Sequence, residues 1–142
     1  MVCFALRLRV YWMGKDSLFP PLVGGVMRWL GGIPVNRARS GNLVQATVDA
    51  YNSNARLIVI VPPEGTRSKV TQWKTGFYYI AQGAGVPIAL GYLDFRKKEA
   101  GLSRMFQPSG DIAADMVEIQ AFYAGITGKN PGKFDSGTKT EK

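Results

Sequence analysis

The sequence predicts an α/β domain: a mixed, largely parallel sheet flanked by helices. Two observations carry this. Leu57-Ile58-Val59-Ile60-Val61 is an unbroken apolar, mostly β-branched run stopped by Pro62-Pro63, the pattern of a strand buried on both faces. Around it, strand-like and helix-like segments alternate along the chain, which calls for a sheet covered by helices.

The elements follow in order. Leu6, Leu8, Val10 and Trp12 alternate with Arg7, Arg9, Tyr11 and Met13, so a first strand is expected over 6–13. Ser17 is the expected cap of a following helix, with Pro20 and Pro21 in its tolerant first turn and Gly31-Gly32 at its end. A short strand is expected over 33–36. Leu43, Ala46, Thr47 and Ala50 recur at helical spacing, and Asn52-Ser53-Asn54 ends that helix. After the 57–61 strand come a helix over 75–83, a turn at Gly83-Ala84-Gly85 and a second buried strand over 86–93. Asp111 is placed to cap a last helix with Ile112, Met116, Ile119, Tyr123 and Ile126 on one face. The domain is assigned to residues 1–128. Residues 129–142, polar and rich in Gly, Lys and Thr, are expected to form a disordered basic tail.

Composition narrows the function. A chain of 142 residues fits one domain with a continuous core. Its net charge of +8 points to anionic partners: nucleic acid, phosphorylated small molecules or acidic lipid. Arg7, Arg9, Arg37, Arg39, Lys97 and Lys98 are scattered over different elements rather than gathered on one helix, and no base-stacking pattern accompanies them. Nucleic acid is therefore set aside. The single cysteine, Cys3, precludes an internal disulfide and a thiolate zinc cluster, and suits a cytoplasmic setting; no metal site is expected. The most apolar stretch, Leu18 to Val35, is interrupted by Pro20, Pro21, Arg28 and glycines. It suits a membrane interface better than a crossing.

Chemistry concentrates at Pro62-Pro63-Glu64-Gly65-Thr66-Arg67-Ser68, immediately after the apolar run, where open α/β sheets place their ligand sites. A guanidinium gives phosphate two parallel hydrogen bonds, Gly65 lets backbone amides come close, and Thr66 and Ser68 add hydroxyl donors. Alone, the string reads equally well as a solvated turn with Glu64 and Arg67 paired on the surface.

Three further segments set the string in a larger pattern. Glu64-Gly65-Thr66-Arg67-Ser68 resembles the third motif of the glycerol-phosphate acyltransferase family. Gly31-Gly32-Ile33-Pro34-Val35-Asn36-Arg37 resembles the second motif, Val86-Pro87-Ile88-Ala89-Leu90 the fourth, and Met13-Gly14-Lys15 the basic position ahead of the second. The resemblance runs in family order over residues 13–90. It implies a fold like that of the glycerol-phosphate acyltransferases. It also implies transfer of an acyl group from acyl-CoA or acyl carrier protein to lysophosphatidic acid or a related glycerol phosphate. No cofactor is implied beyond that acyl thioester, and the implied location is peripheral, at the inner face of the membrane. Carried over by position, Lys15 and Arg67 hold the acceptor's phosphate, Glu64, Gly65 and Thr66 shape the loop, and Arg37 sits beside the acceptor pocket. Ordinary surface charge accounts equally well for Lys15 and Arg37 singly. Pro87, at a strand start, reads as structural.

One part of the pattern has no counterpart. The family's first motif pairs a histidine, the general base for the acceptor hydroxyl, with an aspartate five positions later that orients it. This sequence contains no histidine. Asp16, beside Lys15, reads as a helix-start carboxylate, and Cys3 has no base to activate it; no catalytic residue is assigned. The expectation is a domain lacking its amino-terminal segment, inactive as it stands. Apolar surface is then expected at Phe4, Trp12 and the helix after Ser17. The alternative is a non-catalytic binder of phospholipid or phosphate. The group Trp73, Phe77, Tyr78 and Tyr79 is expected to pack in the core.

Overall fold

A computed structural model describes residues 11–15, 17, 19–35, 40–54, 56–65 and 72–130. Residues 6–10 of the strand expected over 6–13, and residues 131–142 of the tail expected over 129–142, lie outside these. The fold is α/β, with elements β1 (Tyr11–Lys15), α1 (Gly24–Trp29), β2 (Gly32–Val35), α2 (Ser40–Asn52), β3 (Val59–Ile60), α3 (Gly76–Ala84), β4 (Ile88–Asp94), β5 (Glu99–Phe106) and α4 (Ile112–Tyr123). They fall into two compact units, Met1–Pro62 and Pro63–Lys142.

The first unit holds a three-stranded parallel sheet in the order β2-β1-β3. Trp12 pairs with Gly32 and Lys15 with Val35 on one side of β1, and Tyr11 pairs with Val59 on the other. Parallel neighbours need a crossover; α1 lies in the chain between β1 and β2, and α2 between β2 and β3. Phe19 occupies the space left by two glycines. A Cβ on Gly14 or on Gly32 would come within 2.8 Å of its ring. The same ring stacks on Trp12 at 6.0 Å between centroids. Trp12 in turn donates its indole N–H to Leu30 O at 3.2 Å, which ties β1 to the end of α1.

Three expectations change in this unit. The helix after Ser17 starts later, because the Pro20 carbonyl accepts the N–H of Val23 and of Gly24 in a turn and Val23 occupies the cap position without a side-chain bond. Ser17 is not its cap. The 57–61 run is a strand only at Val59–Ile60, and it is not buried on both faces: Ile58 is 42% and Ile60 49% exposed. Among the described residues β3 pairs only with β1 and stands at the edge of the sheet. Trp12 is half-buried rather than exposed. The expected exposure of the first helix does hold, with Val26 52% and Trp29 83% exposed. Phe4 lies outside the described residues.

The second unit is built on an antiparallel β4-β5 hairpin. Asp94 starts its turn by accepting the amides of Arg96 at 3.0 Å and Lys97 at 3.2 Å, and Lys98 closes it with a φ of 57°. This local carboxylate–amide bonding is the reason Asp favours turns. β4 is buried on one face only, with Leu90 inside and Leu93 exposed, which corrects the expectation of a fully buried strand. Trp73, Leu90, Phe106 and Ile119 form the core, with Phe77, Ile88, Met116, Phe122 and Tyr123 packed against it. Of the four aromatic residues expected in the core, Trp73, Phe77 and Tyr78 are there, and Tyr79 is exposed.

Asp111 caps α4 as expected, accepting the amides of Ala113 and Ala114 at 3.1 Å. One turn on, Asp115 is buried and fully bonded. It accepts from the Tyr78 hydroxyl, the Ser109 amide and the Ser109 hydroxyl, each at 2.7 Å. The Gly110 amide donates to the Tyr78 hydroxyl at 3.0 Å. A buried carboxylate is tolerated only when its lone pairs are filled; this network pins α3 to the start of α4. No helix among the described residues is long and apolar enough to cross a membrane.

Candidate functional site

The motif loop opens the second unit. Pro63 follows β3 by three residues, and its carbonyl accepts the amide of Lys74 at 2.8 Å. That bond closes the loop on the residues that lead into α3. Glu64 is half-buried and Gly65 exposed.

Gly65 has a φ of +64°, in the left-handed region where a side chain is strained. It also has a neighbour in the place of a side chain. A Cβ built on Gly65 would lie 2.9, 3.0 and 3.2 Å from Cδ, Cε and Nζ of Lys74. The backbone turn demands glycine, and a side chain there would also push the flexible end of Lys74 aside.

Of the residues assigned from sequence, Lys15 is the last residue of β1, in register with Val35; its side chain lies outside the described residues. Arg37, Thr66 and Arg67 lie outside them altogether. The expected convergence of Lys15 and Arg67 on one phosphate therefore has no described geometry. Lys74 was not singled out from the sequence, although the signal was present: a lysine two residues before a helix start and nine after Gly65.

The titratable groups with shifted behaviour lie elsewhere and are structural. Burial raises the Asp115 carboxyl, but the bonds from the Ser109 amide, the Ser109 hydroxyl and Tyr78 outweigh it and hold it below the usual carboxylate range. Burial, and then its bond to Asp115, pushes the Tyr78 hydroxyl up. Burial likewise raises Asp94, while the amides and charges of Lys97 and Arg96 bring it below its ordinary value. None of these is poised as a base near neutrality. Among the described residues no cluster of histidine, cysteine and carboxylates could hold a metal.

A separate open cleft of about 500 Å³ lies between the hairpin and the end of α4, lined by Tyr92, Asp94, Lys97, Leu102, Phe122 and Ile126 among others. Of its two carboxylates, Asp94 is committed to the turn amides, while Glu99, with Ser103, also lines the cleft.

A family model described as Acyltransferase matches residues 1–89, a span that contains the first three of the four motif segments and all of the fourth but Leu90. No curated protein and no solved structure matches the chain. Since the match covers more than half of the 142 residues, the chain belongs to the acyltransferase family.

Proposed function

We propose that this chain carries the acceptor-phosphate site of a glycerolipid acyltransferase of phospholipid synthesis, of the 1-acylglycerol-3-phosphate O-acyltransferase type. The acceptor is lysophosphatidic acid or a related glycerol phosphate; the donor is an acyl thioester of coenzyme A or acyl carrier protein. The site works at a membrane surface, where its acceptor resides. The observation that carries the reading is the family match across the motif segments, beside Gly65 in a left-handed turn, a conformation that lets backbone approach a ligand.

In the reaction the acceptor hydroxyl oxygen attacks the thioester carbonyl, the C–S bond breaks, and the hydroxyl proton passes through a general base to the departing thiolate. Arg67, Thr66 and Lys15 fix the phosphate, with Arg37 beside the acceptor pocket and Glu64 shaping the loop. Positioning of this kind raises the rate by holding the hydroxyl in line with the carbonyl. The base is not supplied by these 142 residues, which include no histidine. That observation favours a second reading, a non-catalytic phospholipid or phosphate binder.

The experiment compares the chain as it stands with the same chain extended by the native upstream codons. Each is assayed for acyl-CoA-dependent acylation of lysophosphatidic acid and for binding of that acceptor. The first reading expects binding by both and turnover by the extended chain, with the short chain slower by a factor of about 10² to 10⁴. Binding without turnover in either supports the non-catalytic binder. Turnover by the short chain at a full rate contradicts the assignment of the base, and binding by neither removes the phosphate site.

A further inference from the structure

We propose that Lys74 is a further phosphate-binding residue of the motif loop, serving a phosphate monoester held against Gly65. The inference rests on the acyltransferase reading and extends it to a residue outside the four motif segments.

Three observations carry it. The Lys74 backbone is fixed to the loop by the hydrogen bond from its amide to Pro63 O at 2.8 Å. Its side chain lies over Gly65, so that the terminal carbons and Nζ fill the space within 2.9 to 3.2 Å of where a Cβ would stand. Among the described residues its ammonium has no carboxylate partner, the ion pair found there being Arg104 with Glu118.

A long cationic side chain with no acidic partner is ordinarily free to extend into water, where its entropy is greatest. Here the stem is folded back onto a glycine instead, and the ammonium sits at the loop. Lysine binds phosphate as a compact point charge, and so complements the planar fork of an arginine. With Arg67 two residues beyond Gly65 in the sequence, the loop would carry two cations of different geometry. The structure also gives a second reason for glycine at position 65: a side chain there would displace the lysine.

The test is calorimetric titration of the full chain with short-chain lysophosphatidic acid, coenzyme A, inorganic phosphate and the uncharged monoacylglycerol of the same chain length. The variants are Lys74→Met, which keeps the aliphatic stem and removes the charge, Lys74→Arg, and Arg67→Gln, with Lys97→Gln as a charge control remote in sequence from the loop. Circular dichroism verifies that each is folded. The expected result is a loss of roughly tenfold or more in affinity for phosphorylated ligand in Lys74→Met, recovery in Lys74→Arg, no change in Lys97→Gln, and no effect on monoacylglycerol. Loss confined to lysophosphatidic acid assigns the contact to the acceptor, and loss confined to coenzyme A assigns it to the donor's phosphate. If Lys74→Met binds like the parent while Arg67→Gln does not, the phosphate site stands and the role of Lys74 is overturned. If the parent binds no phosphorylated ligand, both fall together.

Discussion

Gly65 and Gly85 offer a matched pair for separating backbone strain from ligand chemistry. Their φ values are 64° and 65°, so alanine at either position meets the same left-handed penalty of about 1–2 kcal/mol. Their surroundings differ. A Cβ at Gly85 would have nothing within 4 Å, whereas one at Gly65 would meet Lys74 atoms at 2.9 to 3.2 Å. Because those atoms end a flexible side chain, Lys74 can swing away at small cost. Gly65→Ala and Gly85→Ala should therefore lose similar stability, about 1–2 kcal/mol each, while Gly65→Ala alone displaces the ammonium and weakens phosphate binding. Urea unfolding gives the first quantity and calorimetry with lysophosphatidic acid the second. If Gly65→Ala leaves unfolding unchanged, the left-handed turn is wrong. If Gly85→Ala weakens binding as much as Gly65→Ala, the contact with Lys74 has no role in it.

Other consequences can be checked by the same unfolding measurements. Ile119 is buried in the core of the second unit, so Ile119→Ala should cost about 3 kcal/mol through lost burial and a residual cavity. Asp111→Ala removes both cap bonds of α4 and should cost about 1 kcal/mol. Arg104 and Glu118 are both exposed, so Glu118→Gln should change stability by less than about 1 kcal/mol. Asp115 and Asp94 are held below the ordinary carboxylate range in the fold. Their contribution is therefore complete above the unfolded value of about 3.9 and is lost as pH falls through the folded one. Unfolding midpoints measured between pH 6 and pH 2 should drop below about pH 4, and Asp115→Asn should flatten that drop.

Where local chemistry decides an element, the sequence revealed it. Asp111 before a helical face, Gly85 after one, and the Asn52-Ser53-Asn54 stop each act through bonds to neighbouring backbone, and each stands where expected. The motif segments were legible for the same reason, as short strings of fixed residue types. Tertiary context decided the rest. β5 was not foreseen because the register shift between Ala89 and Gly91 breaks the alternation that marks a strand, leaving Leu102 and Met105 on the outside. The 57–61 run looked like a central strand, yet periodicity carries no information on how many neighbours a strand finds, and β3 pairs with β1 alone among the described residues. Ser17 had the right side chain for a cap, but the Pro20 carbonyl set the start of α1 further along. The contact of Lys74 with Gly65 joins residues nine apart through a loop, a proximity that no spacing rule for helices or strands supplies.

The proposed function places a phosphate-bearing acceptor at the Glu64–Ser68 loop. Amide chemical-shift mapping of the isotope-labelled chain during titration with glycerol 3-phosphate tests it most directly. Saturable shifts centred on Gly65, Thr66, Arg67 and Lys74, abolished in Arg67→Gln, are the expected result. Saturable shifts centred instead on Tyr92, Asp94 and Leu102 in the hairpin cleft, with the loop amides unmoved, would contradict it.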